Sequence, residues 1–352
     1  MTYKPKSSMT RRQFLHWLSV LSAGGALSAC GVPTAAPTAT PNPTATATST
    51  STPLPTNTLA PGETPSPAPT ATPGPPDPTA TPQPAYLSVA RGPDPATITR
   101  RAVAALGGIE RFVASGNDVI IKPNICTDYY APEYAATTNP TVVATLVQLC
   151  LGAGAKRVRV MDMPFGGTSE SAYGRSGIAQ AVKAVGGEME IMNRNKFREF
   201  DIPEGRDLKK WTFYQPIMAA DVVINVPIAK HHNLARLTLG GKNLLGVITN
   251  PGRMHANLGQ RVADLTSAVR PTLTVVDAVR ILVENGPTGG SLDYVRQMNT
   301  VIASHDIVAA DAYAATLFDM QGADIGYITA AAEMGLGTLD LDAIHIEEIT
   351  TS

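Results

Sequence analysis

Asp221-Val222-Val223-Ile224-Asn225-Val226-Pro227 is an apolar run that leads to Lys230-His231-His232. Continuous Val and Ile runs of this kind are typical of parallel strands that are buried on both faces. Further runs share this pattern and are followed by polar residues: Val119–Ile121 before Lys122-Pro123-Asn124, Val158–Met161 before Asp162, Leu273–Val276 before Asp277, and the weaker candidates Leu87–Ala90 and Thr300–Ala303. The sequence therefore predicts a mostly parallel sheet.

Helical segments alternate with these runs. Asn139 and Pro140 have the residue types of an N-cap and a first helical position, and glycines close the helix that they open. Five segments are predicted to be helical: Pro140–Leu151, Ile178–Val185, Leu258–Val269 with Asn257 as its cap, Ile307–Phe318 and Ile325–Met334. Alternation of strands and helices predicts an α/β fold with helices on both faces of the sheet.

The N-terminus carries the pattern of an export signal. Arg11-Arg12 precedes Phe14-Leu15 and an apolar run, which resembles a twin-arginine signal. Leu27-Ser28-Ala29-Cys30 resembles a lipobox, in which the thiol of Cys30 receives a lipid before cleavage. The run is too short to cross a bilayer as a stable helix. Residues 1–30 are therefore predicted to be a signal peptide, and Cys30 to anchor an extracytoplasmic lipoprotein to the membrane.

Residues 31–85 are predicted to be a disordered linker. From Gly31 to Pro84 the chain holds 16 of its 29 prolines and 15 threonines, with Glu63 and Asp77 as the only charges. So little apolar area cannot offset the entropy cost of ordering the segment. Residues 86–352 are then predicted to form a single α/β domain, long enough to bury a core.

Charge and cysteine content exclude several classes of function. After Cys30 the chain has 24 basic and 29 acidic side chains, so the mildly acidic surface argues against nucleic acid as a partner. Cys126 and Cys150 are the remaining cysteines, and without a Cys-x-x-Cys spacing no iron–sulfur cluster is expected. If Pro140–Leu151 is a helix, these two thiols are expected to lie too far apart for a disulfide.

The polar residues that follow the strands are the candidate functional site. In open α/β sheets, ligands bind outside the carboxyl ends of the parallel strands, so side chains from several strands are expected to meet there. Lysines favour an anionic ligand, a histidine favours proton transfer, and two aspartates with histidine could hold a divalent metal. The candidates are Lys122, Lys230 and His232 as catalytic residues, and Asp162 and Asp277 as metal ligands.

Two glycine-containing loops add ligand-binding candidates. Gly240-Gly241-Lys242-Asn243 lacks the first glycine and the Ser/Thr of a P-loop, but free N–H groups at a helix start beside Lys242 could bind an anion. The loop around Asn285-Gly286-Pro287 could form a backbone concavity or be only a turn. Asn124, Lys242, Asn243, Asn285 and Gly286 are therefore predicted to be ligand-binding residues.

Several segments together resemble the domain of unknown function 362 family, from about Leu87 to Asp319. The resemblance lies in Ile121-Lys122-Pro123-Asn124, Thr137-Thr138-Asn139-Pro140, Asp162, Lys230-His231-His232, Leu237–Gly246, Asp277, Asn285-Gly286-Pro287, Asp306 and Asp311. It implies an α/β fold with a shared site, and by spacing His232 matches the family histidine. Asn139 stands where a histidine is common, which weakens a metal role there, and the Cys-rich module of some relatives is absent.

Three functions are compatible with these patterns. The first is an extracytoplasmic enzyme that acts on an anionic small molecule, with a possible divalent metal. The second is a lipoprotein that binds a ligand or metal without transforming it, and the third is an assembly partner at the membrane. The sequence leaves open the substrate, the reaction, and whether His231 or His232 is the functional histidine.

Overall fold

The structure is a computed structural model that describes residues 84–352. The predicted signal peptide and all but the last two residues of the predicted linker lie outside the described residues. The described strands are β1 (Leu87–Arg91), β2 (Asp118–Pro123), β3 (Arg157–Val160), β4 (Glu188–Met189), β5 (Phe197–Asp201), β6 (Lys210–Tyr214), β7 (Val222–Val226), β8 (Ile228–His232), β9 (Arg236–Thr238), β10 (Leu273–Leu282), β11 (Val295–Ser304) and β12 (Ile346–Thr350).

Helices separate most of these strands. The α-helices of residues 84–352 are α1 (Pro95–Ala105), α2 (Pro140–Gly152), α3 (Ser169–Arg175), α4 (Ile178–Ala184), α5 (Gln215–Ala219), α6 (Gly240–Asn243), α7 (Leu258–Val269), α8 (Ile307–Thr316) and α9 (Gly326–Glu333). Within this part of the chain, no helix is long and apolar enough to cross a membrane.

Ten strands form one sheet with the order β12-β1-β11-β10-β7-β2-β3-β4, and β8 and β9 extend it beside β10. β2, β3, β4, β7 and the start of β10 run parallel, and so do β1 with β12 and β8 with β10. β11 is antiparallel to both β1 and β10, and β9 to β8. The predicted mostly parallel α/β sheet is confirmed.

The two faces of the sheet bury separate apolar cores, because side chains alternate along each strand. On β2, Val119 and Ile121 point into one core with residues of α1, α2 and α4. Ile120 points into the other core, with residues of α7, α8 and α9. The expectation of helices on both faces is therefore confirmed, and α1, α2 and α4 bury apolar side chains in one core while α7, α8 and α9 do so in the other.

Two predicted strand ends differ from the structure. β10 does not end before Asp277 but continues to Leu282, with an irregularity between Ala278 and Arg280 where its pairing with β11 shifts. Pro227 interrupts the apolar run before Lys230, and the residues beyond it form β8, which pairs with β10 beyond the end of β7. A proline gives the chain no N–H for a continuous ladder, which accounts for the break between β7 and β8.

The predicted helices are present within one or two residues at most ends. Asn139 caps α2 by accepting a hydrogen bond from the N–H of Thr141, as predicted. Asp306 caps α8 by accepting from Val308 and Ala309. Asn257 precedes α7, but its side chain accepts no capping hydrogen bond, which corrects the predicted cap.

Candidate functional site

A cavity of about 430 Å³ opens at the carboxyl ends of β2 and β3, beside the β8–β9 hairpin. Its lining residues are Lys122, Asn124, Asp162, Met163, Phe165, Lys230, His232, Asn233, Leu234, Thr238, Lys242, Asn243, Leu245, Gly246, Pro251, Gly252, His255 and Pro287. Eight of these are buried polar residues, and five of them, which we call the floor, are joined to one another by an ion pair and hydrogen bonds: Lys122, Asn124, Asp162, Lys230 and Asn243. Of the exposed lining residues, we call Phe165, Leu234 and His255 the rim.

A buried ion pair joins β2 to the loop after β3. The ammonium of Lys122 lies 2.7 Å from Oδ1 of Asp162, and both side chains are almost fully buried. Asp162 also accepts hydrogen bonds from the backbone N–H groups of Ile125 and Met163. Burial lowers the pKa of Lys122 and raises that of Asp162, while their mutual attraction opposes both shifts. A Cβ on Gly246 would lie 1.9 Å from Oδ1 of Asp162, so only glycine fits against this pair.

Asn243 connects the floor residues by its side-chain amide. Its Oδ1 accepts hydrogen bonds from Lys122 and from Asn124, both at 2.9 Å. Its Nδ2 donates to the side chain of Asn225 and to the carbonyl of Lys122. Both amide groups are thus engaged by protein, so Asn243 organises the floor and offers little to a ligand.

Lys230 is also fully occupied by protein groups. Its ammonium donates to Oδ1 of Asn124 at 3.0 Å, to the carbonyl of Ala136 at 2.6 Å and to the carbonyl of Pro287 at 2.9 Å. The sulfur of Cys126 lies 3.3 Å away. No carboxylate of residues 84–352 forms an ion pair with Lys230, so its positive charge remains uncompensated beside the cavity.

Lys242 is the lysine that faces the cavity without a protein partner. It is 8% exposed, and no residue between 84 and 352 accepts a hydrogen bond from it or forms an ion pair with it. Burial, together with the charges of Lys230 and Lys122, lowers the pKa of Lys242 to about 8. An unpaired, buried ammonium is costly for the free protein, and a ligand anion would relieve that cost.

The start of α6 is closed to ligands, contrary to the prediction of free N–H groups there. The N–H groups of Gly240 and Gly241 donate to the two carboxylate oxygens of Asp311, at 2.6 and 2.8 Å. Burial raises the pKa of Asp311 to about 7, although both hydrogen bonds oppose the shift. Asp311 therefore holds the segment that carries Lys242 and Asn243.

The two adjacent histidines lie on opposite sides of β8. His232 lines the cavity with Lys230, because side chains two residues apart share a face of a strand. His231 instead accepts a hydrogen bond at Nδ1 from the N–H of Gly286. The geometry therefore favours His232 as the histidine that a ligand in the cavity would meet.

The hydrogen bonds of His232 define its chemical form. Its Nδ1 accepts from the backbone N–H groups of Leu234 and Ala235, so in the neutral ring the proton is on Nε2. Burial, together with the charges of Lys242 and Lys230, lowers the pKa of His232 to about 3. His232 is thus a neutral hydrogen-bond donor at Nε2, and its Nδ1 is not free to accept a proton.

Three predicted site residues lie outside the cavity lining. Asp277 accepts hydrogen bonds from the N–H groups of Asn139 and Val279, at 2.7 and 3.0 Å, so it fixes the start of α2. Burial raises the pKa of Asp277 to about 6. Asn285 and Gly286 belong to a loop that reaches the site through the backbone, where the carbonyl of the next residue, Pro287, accepts from Lys230.

The two aspartates that the sequence suggested as metal ligands, Asp162 and Asp277, bind other groups of the protein. Asp162 is paired with Lys122, and Asp277 is bound to backbone N–H groups in the parallel part of the sheet. Among residues 84–352, no three His, Cys, Asp or Glu side chains are grouped so that they could hold a metal ion. Three lysines around the cavity also make the surroundings cationic, which favours an anion over a divalent cation.

The apolar wall of the cavity was not predicted from the sequence. Met163, Phe165, Leu234 and Leu245 line it, and Phe165 and Leu234 are 62% and 65% exposed. Thr238 lies opposite Lys230 in the β8–β9 pairing, and its buried Oγ1 has no partner within the described residues. Met163 and Phe165 follow Asp162 within three residues, so the sequence indicated only that they lie near the end of a predicted strand.

Comparison with known proteins gives three findings. The family described as "Domain of unknown function (DUF362)" matches residues 119–316, which include every residue that lines the cavity. Thylakoid-associated protein sll1697 of Synechocystis sp. is 29% identical over 254 residues, covering 67% of this chain and 74% of that protein. The lactate racemase apoprotein from Thermoanaerobacterium thermosaccharolyticum aligns with a TM-score of 0.36 and 12% identity, over 62% of this chain and about half (53%) of that chain.

Proposed function

Because the chain belongs to the domain of unknown function 362 family, whose description names no reaction, we propose a function from the chemistry of the cavity itself. The protein is an extracytoplasmic, membrane-anchored enzyme that acts on a small organic anion with an apolar body. The observation that carries this proposal is Lys242, a buried ammonium that lines the cavity and has no partner among residues 84–352.

The charges around the cavity support an anionic ligand. Three ammonium groups border it, whereas its one buried carboxylate, Asp162, is already paired with Lys122. A ligand carboxylate or phosphate at Lys242 would replace the water that a buried cation has lost. The low local dielectric would strengthen the attraction between the ligand anion and the ammonium. We assign anion binding to Lys242, with the charge of Lys230 adding to the attraction from the floor.

The apolar wall supports a ligand with a hydrocarbon or aromatic body. Met163, Phe165, Leu234 and Leu245 contribute apolar side chains to the cavity lining. A volume of about 430 Å³ is within the range of small-molecule sites, which are mostly apolar with a few placed polar groups. The proposal therefore names an arylalkyl or alkyl carboxylate or phosphate as the ligand class.

His232 is assigned a different role from the proton transfer that its residue type suggested. Its Nε2–H would donate a hydrogen bond to a ligand oxygen, as a neutral imidazole can do beside developing negative charge. Lys122 and Lys230 would act through the floor, by holding Asn124, Asn243 and the loop at Pro287 in place. No metal is part of the proposal, since the two predicted aspartate ligands are engaged elsewhere.

The binding step is tested by calorimetric titration with phenylacetate, phenyl phosphate and the neutral benzyl alcohol. The two anions are expected to bind the wild-type protein, and Lys242→Met is expected to weaken their binding by at least tenfold. Lys156→Met, which removes an exposed lysine outside the cavity, is the matched control and should bind as the wild type does. Equal binding of benzyl alcohol, or unchanged affinity in Lys242→Met, would contradict the proposal.

A non-catalytic ligand-binding protein is the second candidate. It is favoured by the floor, where the polar groups of Lys122, Asn243 and Lys230 are already bonded to protein and leave few groups free for proton transfer. Incubation of the protein with a ligand that binds, followed by product analysis by mass spectrometry, separates the two. Conversion that is lost in Lys242→Met supports the enzyme, whereas tight binding without conversion supports the binding protein.

The location in the cell remains part of the proposal. It is supported by Arg11-Arg12 and by Leu27-Ser28-Ala29-Cys30, which lie outside the described residues. The name of the Synechocystis relative, a thylakoid-associated protein, also fits attachment to a membrane. Metabolic labelling with an alkyne fatty acid should mark the membrane fraction of the wild-type protein and not Cys30→Ala. Labelling that persists in this variant would contradict the lipid anchor.

A further inference from the structure

We infer that Lys242 is a nucleophilic amine that forms a reversible imine with the carbonyl group of a 2-oxo acid. This inference rests on the proposed function, because it assumes that the cavity takes an organic anion, and it narrows the ligand class to one with a carbonyl beside the carboxylate. A nucleophilic lysine needs an accessible ammonium that can lose its proton, in a place where substrate is held against it.

Among the three lysines of the cavity, only Lys242 meets the first requirement. The ammonium of Lys122 is held by Asp162, Asn243 and the carbonyl of Pro123. That of Lys230 has four contacts with protein acceptors. Either lysine would have to break several buried hydrogen bonds to attack a ligand, whereas Lys242 has none to break within residues 84–352.

The surroundings of Lys242 favour the free amine. Lys230 and Lys122 are the cations that act on it, and both disfavour its protonated form. His232 and His255 border the same cavity, and Lys242 in turn lowers the pKa of each, so neither adds positive charge at neutral pH. With its pKa lowered to about 8, roughly one Lys242 in ten is unprotonated at pH 7. Desolvation and neighbouring cations are the known means of activating a lysine for imine formation.

The reaction balances with groups that are present. The ammonium of Lys242 first gives one proton to solvent, and its lone pair then attacks the ketone carbon. A C–N bond forms as the C=O π bond breaks, the oxygen takes a proton from solvent, and the nitrogen, which is cationic after the attack, releases one to give a neutral carbinolamine. Loss of the hydroxyl group with one further proton releases water and leaves an iminium. The iminium carries a positive charge beside the ligand carboxylate, so the charge pairing that was lost with the first proton is restored.

His232 is placed to assist at the ketone oxygen. Its Nε2–H is the donor that remains after Nδ1 has accepted two backbone N–H groups. The hydrogen bond would polarise the carbonyl before attack and stabilise the charge that develops on oxygen. The apolar wall, with Met163, Phe165 and Leu234, accommodates an aromatic or long alkyl group on the other side of the ketone.

Reductive trapping tests the inference directly. The protein is incubated with phenylpyruvate, sodium borohydride is added, and the adduct is located by peptide mapping with mass spectrometry. We expect one reduced adduct per chain on Lys242, with the exposed Lys156 of the same molecule as the internal control. An excess of phenylacetate, which has the anion and the ring but no ketone, should suppress trapping at least tenfold and should itself form no adduct.

Lys242→Arg is the matched variant, because it keeps a cation that can bind phenylacetate but cannot form the imine. Binding of phenylacetate with loss of the adduct in this variant supports the inference. If wild-type protein binds phenylacetate and no adduct forms on Lys242, or if Lys156 is modified equally, the inference is overturned and the proposed function stands. If wild-type protein binds neither anion, both are overturned. The wild-type peptide map decides the matter even if the variant does not fold.

Discussion

The floor of the cavity and Lys242 are built from the same kinds of residue, but they differ in what those residues contact. In the floor, the charge of Lys122 is paired with Asp162, and Asn243 uses both groups of its amide. Lys242 immediately precedes Asn243 in the sequence, but its ammonium contacts no acceptor within residues 84–352. Burial and residue type alone therefore do not distinguish a structural lysine from a ligand-binding one, whereas hydrogen-bond partners do.

This difference predicts effects of opposite sign on stability. A floor residue whose hydrogen bonds are all made stabilises the fold, because its removal leaves its buried partners unpaired. An unpaired buried cation destabilises the fold, so its removal should be favourable for stability and unfavourable for binding. Residues that lower the stability of the folded protein in this way are typical of functional sites.

The largest expected effect is on the floor. Asp162→Asn should lower the free energy of unfolding by about 3–5 kcal/mol, because it leaves the charge of Lys122 buried without a counter-ion. Denaturant unfolding followed by circular dichroism measures the change. The matched control is Glu199→Gln, which removes an exposed ion pair between Glu199 and Lys210 and should leave the transition unchanged. An unchanged transition in Asp162→Asn would show that the floor is not a structural unit.

The next effect has the opposite sign. Lys242→Met should raise the free energy of unfolding by about 1–3 kcal/mol at pH 7, because folding lowers the pKa of this lysine from its ordinary 10.5 to about 8. The gain should be greatest below pH 8, where Lys242 is charged in both states and its burial is most costly. It should shrink as the pH rises from 8 to 10.5, because the folded protein releases this proton first, and it should vanish above 10.5.

Unfolding of the wild type and Lys242→Met at a series of pH values tests this sign. Lys156→Met is again the control, since an exposed lysine should give no pH-dependent difference. A variant that is less stable than the wild type at pH 7, or a gain that grows above pH 8, would mean that Lys242 has a stabilising partner in the folded protein. The contrast between Lys242 and the floor would then be lost.

Much of the fold was predictable because strand and helix patterns are local. Val222–Val226 and the cap at Asn139 could be recognised from neighbouring residues alone. The length of β10 could not, because whether Asp277 ends a strand or lies within one depends on pairing with β11 and β8, which come from other parts of the chain. The same holds for β8, which continues the sheet after Pro227.

For the site, sequence reasoning could place residues at the sheet edge but not decide their partners. Lys122, Asp162, Lys230, His232 and Lys242 do line one cavity, yet Asp277 is used to hold α2. Whether the N–H groups of Gly240 and Gly241 are free depends on Asp311, which lies 71 and 70 residues further along the chain. The tautomer of His232 likewise depends on the local turn at Leu234 and Ala235, whose shape no residue type specifies.

The smallest expected effect concerns the rim, where a contact contributes to binding without supporting the fold. Phe165 lines the cavity and is 62% exposed, so Phe165→Ala should change the free energy of unfolding by less than about 0.5 kcal/mol. Its affinity for phenylacetate should fall by about two- to tenfold, since one aromatic contact contributes about 0.5–1.5 kcal/mol. Leu292→Ala is the matched control, because Leu292 is 54% exposed and lies outside the cavity lining, so it should alter neither quantity. If Phe165→Ala binds phenylacetate as tightly as Leu292→Ala does, the ligand is held by charge at Lys242 alone and the apolar wall does not select it.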